Sequence, residues 1–105
     1  MSGTGYGQLA YLTYPPAYAS AAASIHRALA LQGLIVLDPE PQAADDVSRA
    51  KLQALEKAKV RRVDVVAVVH LADGSLDGHA EEVVEYATVL GKRISHLDVG
   101  GGPHA

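Results

Sequence analysis

The stretch Val63–Leu97, VDVVAVVHLADGSLDGHAEEVVEYATVLGKRISHL, decides the fold. Val65 to Val69 is a continuous apolar run, mostly β-branched. That is the pattern of a strand covered on both faces in a parallel sheet, whereas a half-exposed strand alternates. The run ends at His70, and a loop rich in glycine and carboxylates follows, LADGSLDGHAEE. From Ala80, apolar residues recur at helical spacing through Val83, Val84, Ala87 and Leu90. Gly91 stands where a C-cap glycine belongs, and Lys92 to Leu97 supplies the next strand. Ligands of such folds bind beyond the carboxyl ends of the strands. The loop from His70 to His79 is therefore the first place to look for a site.

Toward the N-terminus the same alternation continues. Gln8 to Thr13 (QLAYLT) is the first strand, ended by Tyr14-Pro15-Pro16, because a residue before proline is pushed out of helical geometry. An alanine-rich helix runs from about Tyr18 to Gln32, with Ile25, Ala28 and Leu29 inward and Gly33 as its stop. Leu34 to Leu37 is a short strand closed by the turn-forming Asp38-Pro39-Glu40-Pro41. A second helix covers about Ala44 to Lys59, with Asp45 and Asp46 at its positive end. Lys57, Lys59, Arg61 and Arg62 lie at its negative end, as the macrodipole prefers, and read as a solvated helix terminus. Residues 1–7 form a flexible N-terminus, 8–98 a single α/β domain and 99–105 a flexible tail. The Gly3-x-Gly5-x-Gly7 spacing precedes the first strand, whereas a dinucleotide fingerprint follows one.

The order βαβαβαβ, with right-handed crossovers and one reversal of winding, gives a four-stranded doubly wound parallel sheet. Its order is 2-1-3-4, with helices on both faces in the flavodoxin or Rossmann manner. The reversal falls between strands 1 and 3, so Tyr14–Tyr18 and His70–His79 face each other across one crevice. That brings together Tyr11 or Tyr14, Asp73, Asp77, His79, Glu81 and Glu82. Each also has a plain structural role. Glu81 and Glu82 suit a helix N-terminus, Asp77 suits an N-cap, and Asp73-Gly74 suits a turn. His70, His79 and Asp77 are metal-ligand types, but their loop is short and glycine-rich, and no metal or other cofactor is expected. His26 and His96 read as exposed or core-edge histidines.

Composition narrows the partners. At 105 residues there is room for one domain. With no Phe, Trp or Cys, the core is aliphatic, and neither disulfides nor thiolate metal sites arise. A net charge of −3 excludes an extended nucleic-acid footprint. There is neither a signal-peptide pattern nor an apolar run approaching ~18 residues. A cytoplasmic location, with no membrane partner, is the expectation.

Certain residues carry a resemblance. Asp64 to Val69 (DVVAVV), Asp77-Gly78, Glu82 and Tyr86 to Lys92 (YATVLGK) resemble the C-terminal half of the nucleoside 2-deoxyribosyltransferase family. Tyr11 to Pro15 (YLTYP) is similar to that family's first strand, and Gly33 to Pro39 to its G-x-x-V-x-x-P second strand. The resemblance implies a Rossmann-like enzyme that transfers or hydrolyses the N-glycosidic bond of a nucleoside or nucleotide. Glu82 best matches the family's nucleophile and Asp77 its base-contacting aspartate. Tyr11, Glu56 and Gly78 also match the family's pattern, and with Tyr14, Asp73 and His79 from the crevice they complete the expected substrate-binding set. Two positions depart from the pattern. Counted back from Tyr86-Ala87, the family's glutamate position falls on Val83, and Tyr14 replaces a glycine after strand 1. A non-catalytic nucleotide-binding module of the same fold is therefore the alternative. A small sheet of this kind leaves apolar helix surface poorly covered, so a homo-oligomer is expected, with the helix from His79 to Leu90 in the contact.

Overall fold

The computed structural model describes residues 7–41, 43–100 and 102. The expectation of flexible termini at 1–6, 101 and 103–105 falls outside those residues. Four strands, β1 (Leu9–Thr13), β2 (Ile35–Leu37), β3 (Val65–Val69) and β4 (Arg93–Leu97), form one parallel sheet of order β2-β1-β3-β4. Three helices connect them: α1 (Ala19–Leu31), entered through a 3₁₀ turn at Pro16–Tyr18, α2 (Asp46–Arg62) and α3 (Gly78–Val89).

The central strands settle the topology. Every residue of β3 is buried, as its unbroken apolar run requires. Leu12 lies opposite Ala67 in the β1–β3 register, and the two are 0% and 2% exposed. The winding reversal thus sits between β1 and β3. On one face Tyr11 and Val66 pack with Val60, Val83 and Ala87, from α2 and α3. On the other, Leu12, Ala67 and Val69 pack with Ile25 and Leu29 of α1.

The helix ends follow their local chemistry. Asp45 caps α2 by accepting from Ser48 N–H at 2.7 Å, and Asp77 caps α3 by accepting from Ala80 N–H at 2.7 Å. Gly91 follows α3 with φ +73°, a conformation in which a side chain is strained.

Three expectations about helix faces need correction. In α1 the inward residues are Ala22, Ile25 and Leu29, while Ala28 is exposed, because at ~100° per residue it lies a quarter-turn off that stripe. In α3, Leu90 is 39% exposed, since it is the C-cap, beyond the turn that packs on the sheet. Helix α2 runs on to Arg62, because Val60 and Val63 are drawn into the core at 1% exposure each. Its basic end is also bonded rather than merely solvated. Lys59 Nζ lies 2.7 Å from Glu40 Oε1 and donates to Asp38 O at 2.7 Å, and Arg61 donates to the Tyr86 hydroxyl at 3.1 Å. No helix among the described residues is long and apolar enough to cross a membrane.

Candidate active site

Beyond the carboxyl ends of β1 and β3 lies a cleft of about 570 Å³, within the range of small-molecule sites. Tyr14 follows β1 and forms one wall, and Asp77 and His79 from the start of α3 form another. Pro39, Glu40 and Pro41 from the β2–α2 loop, with Arg49, Gln53 and Glu56 from α2, complete it. Tyr14 and Asp77, 63 positions apart in sequence, share this cleft because the sheet order puts β1 beside β3.

Its organising residue is Glu56. The β1 backbone sends the fully buried Tyr11 side chain to the α2/α3 face, where its hydroxyl donates to Glu56 Oε2 at 2.7 Å. His79 Nε2 donates to the same oxygen at 2.8 Å from the first turn of α3. Three elements therefore meet on one carboxylate whose side chain is 15% exposed. Burial pulls the Glu56 carboxyl up, but the hydrogen bonds from His79 and Tyr11, with the charges of His79 and Lys59, outweigh it. Glu56 is left below the usual glutamate range and is ionised at neutral pH. The hydrogen bond to Glu56 raises His79, and the charges of Glu56, Asp77 and Glu82 add to that against partial burial. Burial, then the bond and charge of Glu56, push the Tyr11 phenol far up, so it stays a donor at any ordinary pH.

The remaining residues singled out in sequence divide. A second groove, of about 470 Å³, runs between α2 and α3 and holds Glu82 with Lys57, Glu85 and Tyr86. Glu56 and His79 line both spaces and form the ridge between them. Glu82 is therefore next to the cleft, on the α2 side of α3, whereas Glu81 points about 100° away. Asp73 stands apart: its carboxylate accepts from Ser75 Oγ at 2.6 Å and Ser75 N–H at 2.9 Å, within the turn. The Ser75 hydroxyl and N–H hold Asp73 below the usual range, and it joins neither cleft. Gly78 opens α3 with an ordinary φ, and a Cβ there would meet nothing within 4 Å, so protein packing does not demand glycine.

His70 and His79 are turned to different partners. His70 Nδ1 lies 2.7 Å from Gly74 O and its Nε2 2.7 Å from His96 Nδ1. Among the described residues no three His, Asp or Glu side chains converge as for a metal ion. Thr13, 1% exposed at the end of β1, has a hydroxyl with no hydrogen-bond partner among the described residues. It lies two residues beyond Tyr11, on the same face of the strand.

A doubly wound α/β domain with a carboxylate cleft at its winding reversal is thus what the chain presents. No protein-family model matches the sequence, nor does any curated protein. Among solved structures, the chain is similar to a 2-deoxyribosyltransferase from Leishmania mexicana. The TM-score is 0.65 at 20% identity, over 87% of this chain and 64% of that one. It is similar also to the CMP N-glycosidase BcmB of Clostridium botulinum. There the TM-score is 0.64 at 13% identity, over 87% of this chain and 71% of that one. The chain spans 64% of the length of the Leishmania structure, so it matches the shared α/β core and not that whole protein. At these identities the likeness establishes the fold, the Rossmann-like α/β fold of those two enzymes.

Proposed function

We propose that this chain acts on the N-glycosidic bond of a nucleoside or nucleotide held in the cleft above β1 and β3. What supports this reading is the cluster at the ridge. Glu56 is kept ionised against Tyr11 and His79, beside Asp77, on a fold shared with a deoxyribosyltransferase and an N-glycosidase. In the proposed reaction Glu82 attacks the anomeric carbon. The carbon–nitrogen bond breaks as the carbon–oxygen bond forms, and the base leaves with that electron pair and a proton. His79, whose proton is stabilised by Glu56, supplies it, while Asp77 contacts the departing base. Water or the nitrogen of a second base then displaces Glu82, which is hydrolysis in the first case and transfer in the second.

One observation favours the second reading, binding without cleavage. Glu82 lies in the α2–α3 groove, outside the cleft that holds Tyr14 and Asp77. Incubation with a panel of nucleosides and nucleotides, with free base followed by chromatography, separates the two. Base release supports the reaction, and saturable binding with no release supports the binding module.

A further inference from the structure

On the other side of Tyr14 lies a smaller cleft of about 290 Å³, between α1 and the end of β2. Ala19, Ala22 and Ala23 floor it, leaving it open because their side chains stop at Cβ. At its rim His26 Nδ1 and Asp38 Oδ1 are 2.9 Å apart, joining α1 to the residue that directly follows β2. This is the pairing in which a carboxylate fixes one ring nitrogen of a histidine and leaves the other free. Neither His26 Nε2, nor Asp38 Oδ2, nor the Tyr14 hydroxyl has a hydrogen-bond partner among the described residues. Three residues that keep a polar atom without a protein partner therefore line a space otherwise walled by alanine.

We infer that this cleft is a second subsite, and that it takes the hydroxyl groups of a ribose belonging to the ligand of the larger cleft. Tyr14 lines both spaces, so one ligand can lie across it. A carboxylate oxygen accepts from two neighbouring hydroxyls of a sugar, and Asp38 stands at the end of β2. That is where doubly wound folds place the acid that holds a ribose 2′-hydroxyl. The inference rests on the reading that the larger cleft holds a nucleoside; with the sugar on the Asp38 side of Tyr14, away from Glu82, it goes with binding without cleavage, and it adds a preference for ribose over 2-deoxyribose.

The test uses the whole chain and a panel of ribonucleosides with their 2′-deoxy counterparts, followed by NMR of the histidine rings and the backbone amides. Ribonucleosides are expected to shift His26 together with Asp77 and His79. The deoxy compounds are expected to shift Asp77 and His79 while leaving His26 in place. Asp38→Asn should weaken ribonucleoside binding by about tenfold and bring it to the level of the deoxy compounds. That is the weight of one hydrogen bond to a half-exposed charged acceptor. Equal response of His26 to both series, or none to either, overturns the subsite. If Asp77 and His79 still respond, the reading of the larger cleft survives that failure. Discrimination at His26 without any base release upholds the subsite and removes only the chemistry.

Discussion

Tyr11→Phe removes one oxygen from the most enclosed part of the site and leaves the ring in place. Tyr11 is 0% exposed and its hydroxyl lies 2.7 Å from Glu56 Oε2, so packing is kept and a single charge-assisted bond is lost. Such bonds contribute about 1.5–3 kcal/mol. Glu56 keeps its second donor, His79, so we expect a loss at neutral pH near the lower end, about 1.5 kcal/mol. In a domain of this size that lowers Tm by about 6–12 °C. The loss should depend on pH, with a sign fixed by Glu56. Its folded-state pKa lies below the usual 4.5, so its stabilisation is fully present above 4.5 and disappears as pH falls through the folded value. Once protonated, Glu56 accepts only a neutral hydrogen bond, so the gap between wild type and variant should shrink to about half. Urea titrations followed by far-UV circular dichroism at pH 7 and at pH 3 measure both numbers. A gap below about 0.5 kcal/mol at pH 7, or one that fails to narrow at pH 3, would refute the view of Glu56 as an ionised hub.

The other expectations concern chemistry, the partner of Glu56, and assembly. Glu82→Ala should lower base release by several orders of magnitude with the fold intact, as for loss of a covalent nucleophile, while Glu81→Ala should be mild. An active Glu82→Ala protein assigns the attack elsewhere. For His79→Gln the pH trend is the opposite of that for Tyr11→Phe. The folded-state pKa of His79 is raised, so its contribution is complete below its ordinary 6.5 and vanishes as pH rises through the folded value. Denaturation midpoints of wild type and variant should therefore converge above that value, and a constant difference counts against the pairing. Val89 and Leu55 are 80% and 51% exposed on α3 and α2, and the homo-oligomer we propose would cover that side. Light scattering at micromolar concentration should return a mass above the 11.0 kDa of one chain.

What the sequence disclosed depended on whether the signal was local. The run of valines in β3 needs no partner to be read, because only a strand buried on both faces is apolar at every position. The cap at Asp77 and Gly91 after α3 are equally local, since each satisfies or turns the backbone within three or four residues, whereas Asp45, read only as a charge at the start of the second helix, proves to be its N-cap. Strand order followed from handedness and helix spacing, which leave few alternatives. The role of Glu56 was not visible in that way. Its partners lie 45 and 23 residues away, and α2 shows no apolar stripe to announce which side faces the sheet, with Val60 its one buried residue. Resemblance pointed to Glu56 as an acid; only the folded chain shows what it holds. The pairing of His26 with Asp38 likewise joins two residues that had no reason, in sequence, to be read together.

The sheet order carries a consequence for how the molecule breathes. Strands β1 and β3 are hydrogen-bonded on both sides, whereas β2 and β4 each have one neighbour. Amides of the two inner strands should exchange with solvent only when the whole domain opens, and those of β2 and its following loop much sooner. The cleft therefore has a floor drawn from the strands expected to open last and a rim, Pro39, Glu40 and Pro41, that follows an edge strand expected to open sooner. A small molecule settling there would quieten the rim and leave the floor's slow exchange almost untouched.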